Sequence, residues 1–380
     1  MAGDVTRYRP TVVEVDLEAI RHNVRALKPA SAELMAVVKG NAYGHGDVGV
    51  ARAALQAGAS WLGVALVEEG IRLREAGIDA AILVLSEFPP GSERDAIAVG
   101  LTPTVCTEEG VDAVAAAAKG LGRRVSVHVK VDTGMHRAGA YPPESAGPLA
   151  RRALDAGLAV EGLWTHLARA EDDEATTREQ LSMLHRAASM IDRPRYLHAA
   201  NSAATILYPE AHLDLVRTGI ACYGLEPAPG IGGSLGLRPA LSWRSAVTAV
   251  RRLPAGEAIS YGHRYRLSRD ATIATVPVGY DDGYARALSP GAEVLIRGRR
   301  RPVAGNVTMD HLMVDCGDDE VAAGDEVILL GRQGGEAITA DELAGLLGTI
   351  SYEVVTTIGA RVPVEHVNES ASMAAGRPAT

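Results

Sequence analysis

Between Leu34 and Arg217, short apolar runs alternate with segments of helical period, the arrangement of a parallel sheet with crossover helices. LMAVVK (34–39), WLGVAL (61–66), AILVLS (81–86) and LTPTV (101–105) read as four strands. RVSVHVKVD (124–132), VEGLWTH (160–166), YLHAAN (196–201) and LDLVR (213–217) read as four more. Helical period fills the gaps at 48–57 and 68–76, after Ser92, and at 108–119, 144–156 and 174–191. Eight strands separated by helices predict an α/β protein with a closed (β/α)8 barrel of the TIM type, not an open doubly wound sheet.

After Gly230 the pattern changes. A glycine-rich stretch, PGIGGSLG, leads into ALSWRSAVTAVRRL, TIATVPVG, AEVLIRGRRRPVAG, DHLMVDCG and DEVILLG, with turn signals every 8–12 residues and little helical period before 339–347. These runs predict a C-terminal, mainly-β domain. The expected division is a barrel over 11–233, a β domain over 234–367 and a disordered tail over 368–380. The early run TVVEVDL (11–17) lies outside the eight-strand count, so residues 1–16 could join the β domain.

Composition narrows the functional classes. The 380 residues, 47% hydrophobic and 22% charged, allow two or three domains and exclude disordered, collagenous and coiled-coil architectures. A net charge of −9 disfavours nucleic acid and anionic lipid as partners. The start, MAGDVTRYRP, carries no apolar segment, and no later run approaches a membrane span, so the expectation is a cytoplasmic protein. Three scattered cysteines suggest neither a disulfide framework nor a metal site. Eleven of the fifteen aromatics are Tyr, which raises the prospect that some serve through their hydroxyls.

Polar residues at the carboxyl ends of barrel strands mark the catalytic face. Here those ends carry Lys39, then Lys130 and Asp132 with Arg137 just beyond, His166, Asn201 and Ser202, and Arg217. A lysine after four apolar residues is costly to bury unless its amine is put to use, and a lysine so tuned forms Schiff bases with carbonyl compounds. The last two strands lead into HAANSAATI and VRTGIACYG, where Ser202 and the backbone of Gly219 and Ile220 could face a phosphate. Reactive lysine plus phosphate cradle points to pyridoxal 5'-phosphate. Singly, each feature has a plainer reading: Ser202 as a helix cap, Gly219 as an ordinary turn, His166 as a core histidine.

The segments AVVKGNAYGHG, HVKVDTGMHRAG, WTHLA, HAANSAA, DLVRTGIACYGLEP, ISYGHRY, PVGYDDGY, NVTMD and ISYEVVT, in that order, resemble the alanine racemases, barrel-type pyridoxal phosphate enzymes. The resemblance runs from Val12 to about Val364. It implies a homodimeric isomerase that interconverts L- and D-alanine with two bases and supplies D-alanine for peptidoglycan. Lys39 would hold the cofactor and act as one base, and Tyr261, from the partner subunit, as the other. Tyr43, Ser202, Gly219, Ile220 and Tyr352 would surround the phosphate, with Asn201 and His166 close to the cofactor and Arg217 facing its pyridine nitrogen. Arg137 and the backbone at Met309 would take the substrate carboxylate, Tyr280 and Tyr352 would narrow the corridor, and Lys130 would be carbamylated to hold Arg137.

Some positions depart from the family's common pattern: Gly40 for Ala or Ser, His136 for Gly, Arg169 for a small residue, Asp281 for Ala and Asn306 for Arg. A broader amino-acid racemase and a non-catalytic pyridoxal phosphate carrier are the rival readings. Segments beyond residue 236 speak against the carrier, which would keep the barrel alone. Arg217 speaks against a decarboxylase, which would place an acid at the pyridine nitrogen.

Overall fold

A computed structural model of the chain describes residues 8–369. Leu17–Pro239 form one compact unit, and the residues up to Asp16 together with those from Ala240 form the other. Strand β1 (Val12–Asp16) belongs to the second unit and runs directly into α1 (Leu17–Leu27), the first element of the barrel. The amphipathic α1 buries Leu17, Ile20, Val24 and Leu27. No glycine or proline separates it from the apolar run before it, so the helix is hard to see in the sequence.

The barrel strands are β2 (Glu33–Val37), β3 (Trp61–Val64), β4 (Ala81–Glu87), β5 (Thr102–Val105), β6 (Ser126–Lys130), β7 (Ala159–Trp164), β8 (Tyr196–His198) and β9 (Leu215–Thr218). All eight expected strands are present. They lie parallel in chain order from β2 to β8, and β9 pairs with β2, so that Arg217 stands opposite Met35. The seam between β8 and β9 is closed by hydrogen bonds from Asp214 N to Leu197 O (3.0 Å) and from Arg217 N to Ala200 O (2.9 Å). Helices α2 (Lys39–Tyr43), α3 (Asp47–Gln56), α4 (Val67–Glu75), α5 (Glu93–Ala98), α6 (Glu108–Leu121), α7 (Ala146–Asp155), α8 (Glu174–Ala188) and α9 (Ser202–Leu207) follow their strands.

Side chains two apart on a strand share a face, so the barrel interior fills in layers. Met35, Trp61, Leu83, Tyr196 and Leu215, from five strands, form a buried apolar cluster. Two residues further along their strands come His198 and Arg217, joined by His128 from β6; two residues beyond His128 is Lys130. The polar end of the barrel is thus the continuation of its core. Room for His128 comes from Gly162, where an added Cβ would stand 2.3 Å from the imidazole Nδ1.

Although the sequence pattern shifts near Gly230, the stretch that follows is tied to the barrel. His22 of α1 bonds to Gly236 O (3.0 Å), while Asn23 donates to Arg238 O (2.8 Å) and accepts from Arg238 N (2.8 Å). The units therefore part after Pro239, later than the change of pattern.

The second unit contains β10 (Leu241–Ala246), β11 (Ala249–Leu253), β12 (Ala258–Ile259), β13 (Tyr265–Arg266), β14 (Ala271–Val276), β15 (Glu293–Ile296), β16 (Arg299–Pro302), β17 (Leu312–Asp315), β18 (Glu326–Gln333), β19 (Glu336–Ile338) and β20 (Val364–Val367). Its main sheet runs β16-β15-β18-β10-β1-β20, with β19 on β18; β11-β14-β17 and β12-β13 form smaller sheets. Ile259, Leu267, Ala271, Ile273 and Ala304 form a buried cluster in this unit. Helix α10 (Ala340–Leu347) matches expectation, whereas α11 (Ser351–Thr356) is too short to have shown a period. At the tail, Asn368 donates to Asp16 (2.8 Å), so it is anchored where disorder was expected; 370–380 lie outside the described residues.

Candidate active site

Lys39 opens an unusual turn at the end of β2. Gly40, Asn41, Ala42 and Tyr43 have φ between 52° and 61°, a left-handed helical turn. For each non-glycine residue such a conformation costs on the order of 1–2 kcal/mol, so the surroundings must impose it. Ala42 N bonds to Val38 O (2.9 Å) and Gly44 N to Gly40 O (3.0 Å). The buried Glu69 carboxylate accepts from Gly40 N (2.7 Å), Ala65 N (2.8 Å) and Leu66 N (3.1 Å), joining the turn to the end of β3. Burial lowers the Lys39 pKa, Arg137 lowers it further and Glu69 opposes the shift.

The turn aims Tyr43 at Gly219. An added Cβ on Gly219 would stand 2.6 Å from the Tyr43 hydroxyl oxygen, so only glycine allows this approach. Burial holds the Tyr43 pKa above the usual tyrosine range, leaving a protonated donor. Ser202 Oγ, itself buried, accepts from Gly219 N (2.9 Å) and Ala221 N (3.4 Å), which leaves its own hydrogen to donate. Asn201 does different work: its side chain caps α9 by accepting from Ala204 N (2.9 Å).

Arg217 is buried and held on three sides, by His198 Nδ1 (3.1 Å), Thr165 O (2.8 Å) and Ala199 O (2.8 Å). Burial pushes its pKa down to about 9, still a cation at neutral pH. Because a guanidinium only donates, His198 Nδ1 must accept, and its Nε2 hydrogen then points to His128 Nδ1 at 3.0 Å. Desolvation lowers the pKa of both histidines, His128 to about 3, so the chain stays neutral behind one fixed charge. Lys130 Nζ and Arg217 Cζ lie 4.6 and 4.7 Å from the centre of the Trp164 ring. Burial, the largest cause, pushes the Lys130 pKa down to about 8.

His166 is held well below the ordinary histidine range by burial, then by Arg217, Arg137, Lys130 and Lys39. Its segment is fixed by Gln180, which donates to His166 O (3.1 Å) and accepts from Ala168 N (2.8 Å). Four cations around a neutral imidazole make this barrel end strongly attractive to anions. The arrangement offers a desolvated amine, a pocket of N–H and O–H donors, and a surplus of positive charge.

Tyr261, Tyr280, Met309 and Tyr352 lie in the strand-rich unit. Tyr261 stands on a turn between β12 and β13, 73% exposed. Ser260 and His263 on the same turn have φ of 64° and 50°. Asn306 holds the turn: its Nδ2 donates to Tyr261 O (2.6 Å) and its carbonyl accepts from Ser260 Oγ (2.6 Å). Tyr280 and Met309 are joined through backbone, Tyr280 N to Thr308 O (2.9 Å) and Asp281 N to Met309 O (3.1 Å). Tyr352 sits in α11, its carbonyl accepting from Thr356 Oγ1 (2.8 Å).

Residues 15–227 match the model of the alanine racemase N-terminal domain, and residues 240–366 that of its C-terminal domain. The chain belongs to the alanine racemase family. An alanine racemase of Symbiobacterium thermophilum is 52% identical over 97% of this chain and 100% of its own length. Among solved structures, the alanine racemase of D-cycloserine-producing Streptomyces lavendulae has a TM-score of 0.90 at 42% identity, covering 96% of this chain and 98% of its own. That of Bacillus anthracis with bound L-Ala-P has a TM-score of 0.87 at 40% identity, covering 96% and 97%.

Two of the departures from the racemase pattern fall on left-handed backbone. Gly40, at φ of 61°, takes it without strain, whereas His136, at φ of 52° where the family commonly has Gly, takes it at a cost that nothing in the structure explains. Arg169 pairs on the surface with Asp172 (3.0 Å) and Asp173 (3.1 Å). Glu69, Gln180 and His198 hold candidate site residues without having been picked out from the sequence, and Asn306, noted there only as a departure from the pattern, holds the Tyr261 turn. For His198 the signal was present: it stands two residues after the core Tyr196, on the same face of β8.

Proposed function

We propose that this chain racemises alanine with pyridoxal 5'-phosphate held at the polar barrel end, as a homodimer in the cytoplasm, supplying D-alanine for peptidoglycan. The observation that carries the reading is the convergence of Lys39, the Ser202–Gly219 cradle and the surrounding cations on one barrel end. A phosphorylated, carbonyl-bearing cofactor fits this donor set: the absence of a side chain at Gly219 brings the protonated Tyr43 hydroxyl close to the Ser202 cradle, and Lys39 offers a desolvated amine. Ser202, Tyr43, the amides of Gly219 and Ile220, and Tyr352 would hold the phosphate, and Lys39 the carbonyl carbon. When bound, the cofactor draws electron density from the substrate's α-carbon and makes its proton labile.

Lys39 takes or returns that proton on one face, and Tyr261 of the partner subunit on the other. Arg217, fixed by His198 and two carbonyls, presents a charge that keeps its protons, so a pyridine nitrogen held against it would stay unprotonated and electron withdrawal would be moderated. The substrate carboxylate is gripped by Arg137 and the backbone at Met309. His166, neutral among cations, would border the cofactor without adding charge. Lys130, with its pKa lowered to about 8, would give up a proton more readily than an ordinary lysine and so react with carbon dioxide, and a carbamate there would turn repulsion of Arg137 into attraction. Tyr280 and Tyr352 narrow the approach and favour a methyl side chain.

The test is the purified protein. A visible absorbance band reducible by borohydride, together with conversion of L-alanine to D-alanine well above conversion of L-serine or L-lysine, is the expected result. Absence of the band overturns the cofactor assignment, and equal turnover of the three amino acids overturns the substrate assignment.

A further inference from the structure

From the side chains around Tyr280 and Met309 we infer that Arg361 is a specificity-determining positioning residue, bolting together the two loops that set the width of the substrate corridor. This rests on the reading that Tyr280 and Met309 line that corridor. Arg361 Nη2 bonds to Asp310 (2.8 Å), next to Met309, and its Nη1 bonds to Asp281, next to Tyr280. Its Nε lies 3.5 Å from the carboxylate of Asp282. One guanidinium therefore reaches the residue after each corridor side chain. Asp281 stands where the family commonly has Ala, so this arm of the bolt is a feature of this chain rather than of the common pattern.

The bolt has a buried anchor. Asp282 is fully buried, accepts from Arg9 Nη1 (2.7 Å) and takes Gly279 N (3.0 Å) on its other oxygen. Arg9 Nη2 in turn donates to the carbonyl of Arg361 (3.0 Å), fixing the backbone from which the guanidinium extends. An isolated exposed ion pair holds little, but a guanidinium shared among three carboxylates and anchored on a buried one resists displacement. Tyr280 and Met309 are themselves 42% and 51% exposed, so little packing of their own restrains them. Without the bolt the two loops keep their backbone hydrogen bonds but lose the charge that prevents their side chains from splaying.

The experiment uses the cofactor-loaded enzyme and compares kcat/KM for L-2-aminobutyrate, one methylene larger, with that for L-alanine. In Arg361→Gln the ratio rises roughly threefold to tenfold, a part of the ~10–200-fold that one methylene contributes to discrimination, mostly through KM for the larger substrate. Turnover of L-alanine stays within about twofold. Asp310→Asn removes one arm and gives a smaller rise, and it serves as the reading if Arg361→Gln fails to fold. High salt raises the ratio in the unaltered enzyme and leaves it unmoved in Arg361→Gln, because screening loosens only an intact bolt. A merely structural role would lower the melting temperature and depress both substrates alike. If Tyr280→Ala shifts the ratio while Arg361→Gln and Asp310→Asn do not, the bolt is wrong and the corridor reading stands. If Tyr280→Ala leaves the ratio unmoved, the corridor reading itself fails.

Discussion

Lys39 stands at the end of a barrel strand, desolvated and with its pKa lowered further by Arg137, whereas Tyr261 stands 73% exposed on a strained turn of the strand-rich unit. The barrel residues are oriented by the layers beneath them, where Tyr196 leads to His198 and Leu215 to Arg217 on the same strand faces. Tyr261 is oriented from one side, by Asn306 and the bent backbone at Ser260. On the proposed mechanism the difference separates two ways of making a group functional. A buried amine is chemically tuned within its own unit, while an exposed phenol acquires its environment only when another surface covers it.

Removing either group probes the contrast most severely. Lys39→Ala is expected to lose the borohydride-reducible band together with racemisation, the latter by about 10⁴-fold or more, since attachment and one base disappear together. Tyr261→Phe is expected to keep the band and lose roughly 10²–10⁴-fold in rate, more for one enantiomer than for the other. A Tyr261→Phe enzyme with equal substrate isotope effects in both directions, unchanged from the parent, would mean that the two bases are not divided between the two faces.

The positioning residues sharpen the comparison at smaller scale. Glu69→Gln introduces a donor among three N–H groups that need an acceptor, so cofactor retention and kcat should both fall, by about 10–100-fold in kcat. Asn306→Ala removes one hydrogen bond to the Tyr261 turn, and about 5–30-fold in kcat with the absorbance band intact is expected. If Asn306→Ala also released cofactor, the division of labour would be wrong.

The smallest effect is one of pH. The Lys130 pKa is pushed down to about 8 from 10.5, so between those values the unfolded chain binds a proton that the folded chain does not. Stability from this group therefore rises with pH through that window and is flat below it. Denaturant titrations from pH 7.5 to 10.5 on protein kept free of carbon dioxide, so that Lys130 stays an amine, should show that rise in the parent and its loss in Lys130→Met; identical pH profiles would contradict the assigned shift.

The barrel was legible in the sequence because buried parallel strands are continuous apolar runs, and the polar residue that ends each run stands out against them. Lys39, Lys130 and Arg217 were visible for that reason. The left-handed turn at Gly40–Tyr43 was not, since Ala42 and Tyr43 have no local preference for it, and the Glu69 that ties Gly40 N in place comes from helix α4. In the hairpin RGRRR, read from the sequence only as part of a strand-like run, Arg297, Arg299, Arg300 and Arg301 each pair with acids from elsewhere in the unit, among them Asp325, Asp319 and Glu342. Side-chain partnerships across distant segments decide such cases, and the apolar pattern carries no record of them.

The central claim is that a complete site needs the barrel end of one copy and the Tyr261 turn of another, the two-fold arrangement most common among homo-oligomers. Lys39→Ala and Tyr261→Phe homodimers should each be nearly inactive. A mixed dimer would hold one site lacking both groups and one site with both intact. Unfolding the two variants together and refolding them should therefore recover a substantial fraction of parental activity, whereas mixing them without subunit exchange should not. Activity at the single-variant level in a sample shown to contain heterodimers would place both groups in one chain and contradict the account.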